Sequence, residues 1–148
     1  MNRSDTVREN LEAGFNCAES VVGAFSDLVP IPKSTAVRTA TPFGAGMGRT
    51  GNVCGLVSGG AIVLGLVGGR DDPADDRTKE RAYDAVAMLI REVTVLYSSV
   101  LCPEILGEDL GHPLGRRRAI DQGLLATRCP AVAVDVVRIL ERVLEPLR

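Results

Sequence analysis

Between residues 53 and 69 the chain runs for 17 residues without a single charge, and six of those residues are glycine. A stretch this apolar must be covered. At this length it falls at or below the short end of what spans a hydrocarbon core. A buried helix is therefore the expected outcome, and stable membrane insertion is not. Glycine inside a helix is about 1 kcal/mol less favourable than alanine. Six of them require an offsetting gain, either neighbours packed directly against the backbone or a functional group that approaches it. The segment thus predicts a glycine-rich central helix in a compact all-α bundle of several helices.

The flanking sequence supplies the other helices. Ser4 or Asp5 can cap a first helix that runs to about Glu12, and Gly14 breaks it. Asn16 reads as the cap of a second helix from Cys17 to Leu28, with Val21, Val22, Ala24, Phe25 and Leu28 on one face. Pro30 and Pro32 close it. Ser34 caps a short third helix that Pro42 stops. A glycine-rich loop, residues 43–52, leads into the apolar segment. Asp75 or Asp76 caps a long helix over residues 77–98, with a stripe at Ala82, Ala85, Val86, Leu89, Val93, Leu96 and Tyr97. Residues 102–107 form a helical turn, 107–115 a loop and 116–126 a helix. The last helix is expected to open at Pro130, with Val132, Val136, Ile139, Leu140 and Val143 facing inward. No strand alternation, repeat or composition shift divides the chain, so residues 1–148 read as one domain.

Charge and aromatic content narrow the function. The net charge is -2. The only basic run, Arg116–Arg118, reads as a solvated helix face. Phe15, Phe25, Phe43, Tyr83 and Tyr97 are the only aromatics, too few for a base-stacking platform. Nucleic acid is therefore not an expected partner. Residues 1–10 are polar and lack the apolar stretch of an export signal. The expected compartment is the reducing cytoplasm, where cysteines are more often reactive or metal-bound than locked in structural disulfides.

Four cysteines, Cys17, Cys54, Cys102 and Cys129, are separated by 36, 47 and 26 residues. No Cys-x-x-Cys pair is present, so the close spacings of zinc ribbons and ferredoxins are missing. Their positions on the expected helices say more. Cys17 follows the Asn16 cap, Cys54 follows the glycine-rich loop, and Cys102 and Cys129 each precede a proline that suits the first residue of a helix. All four are thus expected at helix starts, where free backbone N–H groups and the helix dipole favour the thiolate. They are the candidate catalytic residues and equally the candidate metal ligands. Cys54 is the expected central residue, because the loop before it frees space and N–H donors.

That loop, Gly44-x-Gly46-x-Gly48-x-x-Gly51, matches neither the dinucleotide nor the P-loop pattern. It has no preceding strand, and it carries no lysine. Its N–H groups are expected to surround the Cys54 sulfur or an anion beside it, with Arg49 adding positive charge. Gly46, Gly48, Arg49, Gly51 and Gly55 are the candidate cofactor-binding residues. His112, the only histidine, reads as solvated surface. Asp71, Asp72, Asp75 and Asp76 do not match a calcium loop and read as a capped helix start.

Several stretches together resemble the redox-active family written C_GCAxxG_C_C. They are Phe15-Asn16-Cys17-Ala18, then Phe43-Gly44-Ala45-Gly46-Met47-Gly48-Arg49 leading into Cys54-Gly55-Leu56-Val57-Ser58-Gly59, then Cys102-Pro103-Glu104-Ile105-Leu106-Gly107, and last Cys129-Pro130. The four family cysteines map one to one onto the four here. Leu56 stands where the motif has alanine. The resemblance implies a redox role and a cytosolic setting, and it implies no substrate.

Three functions follow as expectations. The first is thiol–disulfide exchange, or electron transfer through a bound metal or an iron–sulfur cluster, with an unidentified redox partner. The second is a non-catalytic zinc site with four thiolate ligands that holds the helices together. The third is an interaction module in which the glycine-rich helix packs against a second copy of the chain or a membrane partner.

Overall fold

A computed structural model describes residues 2–148. Met1, counted in the expected domain, lies outside the described residues. Those residues contain eight α-helices and no strand. They are α1 (Arg3–Glu12), α2 (Cys17–Ala24), α3 (Lys33–Ala40), α4 (Gly55–Gly68), α5 (Asp76–Tyr97), α6 (Cys102–Leu106), α7 (Pro113–Asp121) and α8 (Leu124–Leu144). Two single 3-10 turns, Thr41–Phe43 and Glu145–Leu147, and a helical turn with left-handed backbone at Gly44–Met47 complete the regular structure. The all-α expectation is met.

Of the expected caps, those at Asn16 and Asp75 form, whereas α1 is capped by Asn2 and not by Ser4 or Asp5, and α3 has Pro32 and not Ser34 at its cap, with no side-chain bond. The Asn16 side chain accepts from the Glu19 N–H, and the Glu19 carboxylate accepts from the Asn16 N–H at 2.8 Å, a reciprocal capping box. Asp75 caps α5 by accepting from the Thr78 N–H at 3.0 Å. His112 has a job the sequence reading did not assign. Its Nδ1 accepts from the Leu114 N–H at 3.2 Å and caps α7, which therefore starts at Pro113 and not at residue 116.

The glycine-rich segment forms α4, and its small residues explain themselves by what stands against them. A methyl group at Gly59 would lie 2.9 Å from the Ala18 carbonyl oxygen. One turn earlier, a methyl group at Gly55 would lie 3.0 Å from the Cys17 Cβ. Gly55 and Gly59 let α4 cross directly against the first turn of α2, and this crossing carries Cys17 to the side of Cys54. On its other face, Gly60 accommodates Leu89 of α5 and Leu140 of α8. The close packing expected as compensation is present at Gly55, Gly59, Gly60 and Gly68, whereas Gly65 faces open space and Gly69 lies just past the helix.

Three expectations need correction. The last helix does not open at Pro130. It begins at Leu124 and runs through the proline, so Cys129 sits in its second turn and not at its start. Nine buried side chains, from Val132 to Leu144, lock the later turns into the core. Arg128 Nε donates to the Ile105 carbonyl at 2.9 Å and holds the turn before the proline. These gains exceed the loss of one helical hydrogen bond at Pro130. Leu96, expected in the buried stripe of α5, is 55% exposed, since only Ala85, Leu89 and Val93 of that helix are fully buried. The segment 25–28 continues α2 as turns and not as regular helix.

Candidate functional site

The four cysteines come from four separate places in the chain and line one cavity of about 330 Å³. Cys17 opens α2, Cys54 precedes α4, Cys102 opens α6, and Cys129 projects from α8. An isolated antiparallel bridge between Val53 and Leu101 sets two of them. The Cys54 N–H donates to the Val100 carbonyl at 2.7 Å, and the Cys102 N–H donates to the Asn52 carbonyl at 2.9 Å. The bridge thus clamps Cys54 and Cys102 together from residues far apart in sequence. Gly46 completes the clamp, because a methyl group there would lie 2.8 Å from the Cys102 Cβ.

The glycine-rich loop turns out to be a left-handed helical turn. Ala45, Gly46, Met47, Gly48 and Arg49 all have positive φ, at 56, 71, 62, 63 and 65°. For a residue with a side chain this conformation costs roughly 1–2 kcal/mol. Ala45, Met47 and Arg49 all bear that cost, and the turn is held by its own bonds. The Gly48 N–H donates to Gly44 O at 2.9 Å, and the Asn52 N–H to Gly46 O at 3.0 Å. The Thr50 hydroxyl donates to Met47 O at 2.8 Å. Strain maintained this way is typical of functional sites.

What the turn accomplishes is visible at Cys17. The Cys17 thiol is held below its ordinary range, first by hydrogen bonding from the Cys129 thiol, and then by the backbone N–H groups of Ala45 and of Cys17 itself. Burial works against these donors and does not overcome them. The N–H expected to reach Cys54 therefore reaches Cys17, and it belongs to Ala45, which the glycine pattern did not single out. Cys54 is 6% exposed. Burial and the neighbouring Cys17 push its thiol up to about 12, although the Leu56 and Val57 N–H groups donate to it. Burial likewise pushes Cys102 up to about 11. Cys129 is driven up because it supplies its proton to the bond with Cys17. Of four cysteines expected as thiolates, only Cys17 is lowered.

The remaining site candidates separate clearly. Arg49 lines the cavity, as do Arg116 and Arg128, which the sequence reading placed on solvated faces or passed over. Arg128 is adjacent to Cys129, a signal that was available. Gly46 and Gly55 stand behind Cys102 and Cys17 as close-approach positions. Gly48 and Gly51 serve the turn and do not line the cavity. Leu56, in the motif's alanine position, is 1% exposed and contributes to the cavity wall. His112 and the Asp71–Asp76 cluster lie away from it.

Among the described residues no three His, Cys, Asp or Glu side chains are grouped tightly enough to hold one metal ion. The thiols stand around the cavity and do not converge on a point, which does not fit a closed four-thiolate zinc site. All four are free thiols. Among the described residues no helix is long and apolar enough to cross a membrane.

The fold and site define a class: an all-α protein that gathers four cysteines around one cavity. The chain belongs to the family described as "Putative redox-active protein (C_GCAxxG_C_C)", whose family model matches residues 15–143. No curated protein and no solved structure matches it.

Proposed function

We propose that this is a thiol–disulfide redox protein in which Cys17 is the attacking thiolate and Cys129 the resolving thiol. One observation carries the reading. Cys17 and Cys129, both half-buried, line the same cavity, and the Cys129 thiol is the largest of the influences that hold Cys17 below its ordinary range. A thiolate poised beside a protonated neighbour is the arrangement that thiol–disulfide exchange requires.

The chemistry balances in two steps. The Cys17 thiolate attacks one sulfur of a disulfide, forming a mixed disulfide and releasing one thiolate. Cys129 then loses its proton to a released thiolate and attacks the Cys17 sulfur. A Cys17–Cys129 disulfide forms, and the second half of the substrate leaves as thiolate. The protein gives up two electrons, and the substrate becomes one thiol and one thiolate. A dithiol donor reverses both steps. Cys54 and Cys102 form a second thiol pair in the same cavity, protonated and held by the Val53–Leu101 bridge. Such a cycle belongs in a reducing compartment such as the cytoplasm.

The test is anaerobic purification, followed by iron, zinc and sulfide analysis and then mapping of disulfides after mild oxidation. The expected result is a Cys17–Cys129 disulfide in protein with no stoichiometric metal. Iron with matching sulfide at near one cluster per chain overturns the reading and makes the cysteines ligands. Zinc at one per chain overturns it in favour of a structural site.

A further inference from the structure

We propose that the cysteine cavity takes a low-molecular-weight organic disulfide bearing carboxylates, held by Arg49, Arg116 and Arg128. The inference rests on the thiol–disulfide reading above and adds the class of substrate.

The charge around the cavity is the first argument. The chain carries 19 acidic residues against 17 lysines and arginines. The cavity wall reverses that balance, with three arginines and no Asp or Glu. Asp109 is near enough to act on Cys102, but it does not line the cavity. Even with Cys17 ionised, the wall retains a positive excess.

The second argument is that these arginines are unclaimed. Arg3, Arg70, Arg117, Arg118 and Arg142 each face a carboxylate. Among the described residues Arg49, Arg116 and Arg128 form no such pair. They do not serve the thiolate either, since the groups that lower Cys17 are Cys129 and backbone N–H donors. Two of them are fixed in place through Nε. Arg116 Nε donates to Leu110 O at 3.2 Å, and Arg128 Nε donates to Ile105 O at 2.9 Å. The Arg128 guanidinium also lies 5.4 Å from the Tyr97 ring centroid, and Tyr97 is held by its hydroxyl donating to Asp135 at 2.5 Å. Anchoring through Nε leaves the terminal N–H fork free, the part of arginine that matches a carboxylate.

The third argument is the rest of the wall. Phe15, Ile120 and Leu125 line the mouth and remain 44%, 59% and 40% exposed. Wet apolar side chains beside free guanidiniums suit a ligand with an organic body and an anionic end, and an inorganic anion would leave them uncovered. A volume of about 330 Å³ is at the small-ligand end of the range for binding pockets. The disulfide bond of such a ligand, with its carboxylates at the arginines, meets the Cys17 thiolate inside. The exchange then runs as above: the substrate is reduced to thiol and thiolate, and Cys17–Cys129 is oxidised.

The test uses the full chain, reduced and kept anaerobic, with three small disulfides: dithiodiglycolate (two carboxylates), bis(hydroxyethyl) disulfide (neutral) and cystamine (two ammoniums). Each rate is divided by that of a simple thiolate with the same disulfide, which removes intrinsic reactivity. The expected order is anionic, then neutral, then cationic, with roughly a 10-fold or greater preference for anion over cation at low salt. That preference shrinks as salt rises. Arg116→Gln and Arg128→Gln lower it, Arg116→Lys retains it, and Arg91→Gln, on exposed α5, leaves it unchanged. Equal normalised rates for all three disulfides, or a preference for cystamine, overturn the proposal while leaving the thiol reading intact. Failure of every disulfide to label Cys17, read by mass of the mixed disulfide, overturns the thiol reading beneath it.

Discussion

The first turn of α2 and the first turn of α4 are built alike and behave oppositely. Each presents a cysteine at a helix start, Cys17 in one and Cys54 in the other. Each sulfur receives backbone N–H donors. Yet the Cys17 thiol is lowered, and the Cys54 thiol is pushed up to about 12. The difference is what comes from elsewhere in the chain. Cys17 gains a side-chain donor from Cys129 on α8 and a backbone donor from Ala45 in the left-handed turn. Cys54 gains burial and the repulsion of an ionised neighbour. A helix start alone does not lower a thiol here. Donors supplied by distant segments do.

The sharpest way to break this comparison is to exchange the roles. Cys17→Ser is expected to cut the rate of exchange with a small disulfide by more than about 100-fold at neutral pH, while Cys54→Ser retains most of it. Stopped-flow kinetics of the reduced variants measure both. Equal losses would mean the two helix starts are equivalent after all.

Next in size is stability at high pH. Cys54, Cys102, Cys129 and Tyr97 all have folded pKa values above their ordinary ones, with Cys54 and Tyr97 each at about 12 and Cys102 at about 11. In the unfolded chain these thiols ionise near 9. The stability from keeping them protonated is complete below that pH and lost as pH climbs toward 12. Cys17, lowered in the folded state, has the opposite sign and falls off only as pH drops through its folded value. Three thiols and a phenol outweigh one thiol, so the denaturant midpoint of the reduced protein is expected to fall between pH 9 and 12. A flat profile there would contradict the buried, protonated state of Cys54 and Cys102.

The helix crossing that brings the two regions together gives a smaller, paired effect. Gly59→Ala pushes a methyl group against the Ala18 backbone and is expected to destabilise by about 1–3 kcal/mol. Gly65→Ala, on the same helix with nothing within 4 Å of its added methyl, is expected to stabilise by about 1 kcal/mol. Thermal melts of the two variants should move in opposite directions.

The most local effect is on Cys17 itself. Cys129→Ala removes the side-chain donor, and the pH profile of Cys17 alkylation is expected to shift upward. The same variant lacks the resolving thiol, so the mixed disulfide at Cys17 is expected to persist. Mass spectrometry detects it.

Much of this was legible in the sequence, and the misses share a cause. The capped start at Asn16, the breakers at Gly14 and Pro30 and the need to cover a charge-free glycine helix are local or compositional facts. They followed from residue type. Cys129 was misplaced because Cys-Pro is a common helix opening, and only the packing of Val132–Leu144 shows that this helix began earlier. The Cys17 shift was not legible because the glycine-rich loop adjoins Cys54 in sequence while its Ala45 N–H acts on Cys17 in space. Arg116 looked like one of three solvated arginines until α7 turned it to the cavity wall.

By itself the sequence determined an all-helical chain with a close-packed glycine helix, four thiols and membership of a redox family. Propensity, capping and periodicity act within a few residues, and composition sets what must be buried. Only the tertiary structure decided which thiol is lowered and which are raised, and that three arginines without acidic partners share their cavity. Those outcomes depend on donors, burial and charge contributed by segments far apart in the chain. No local pattern records which of them will meet.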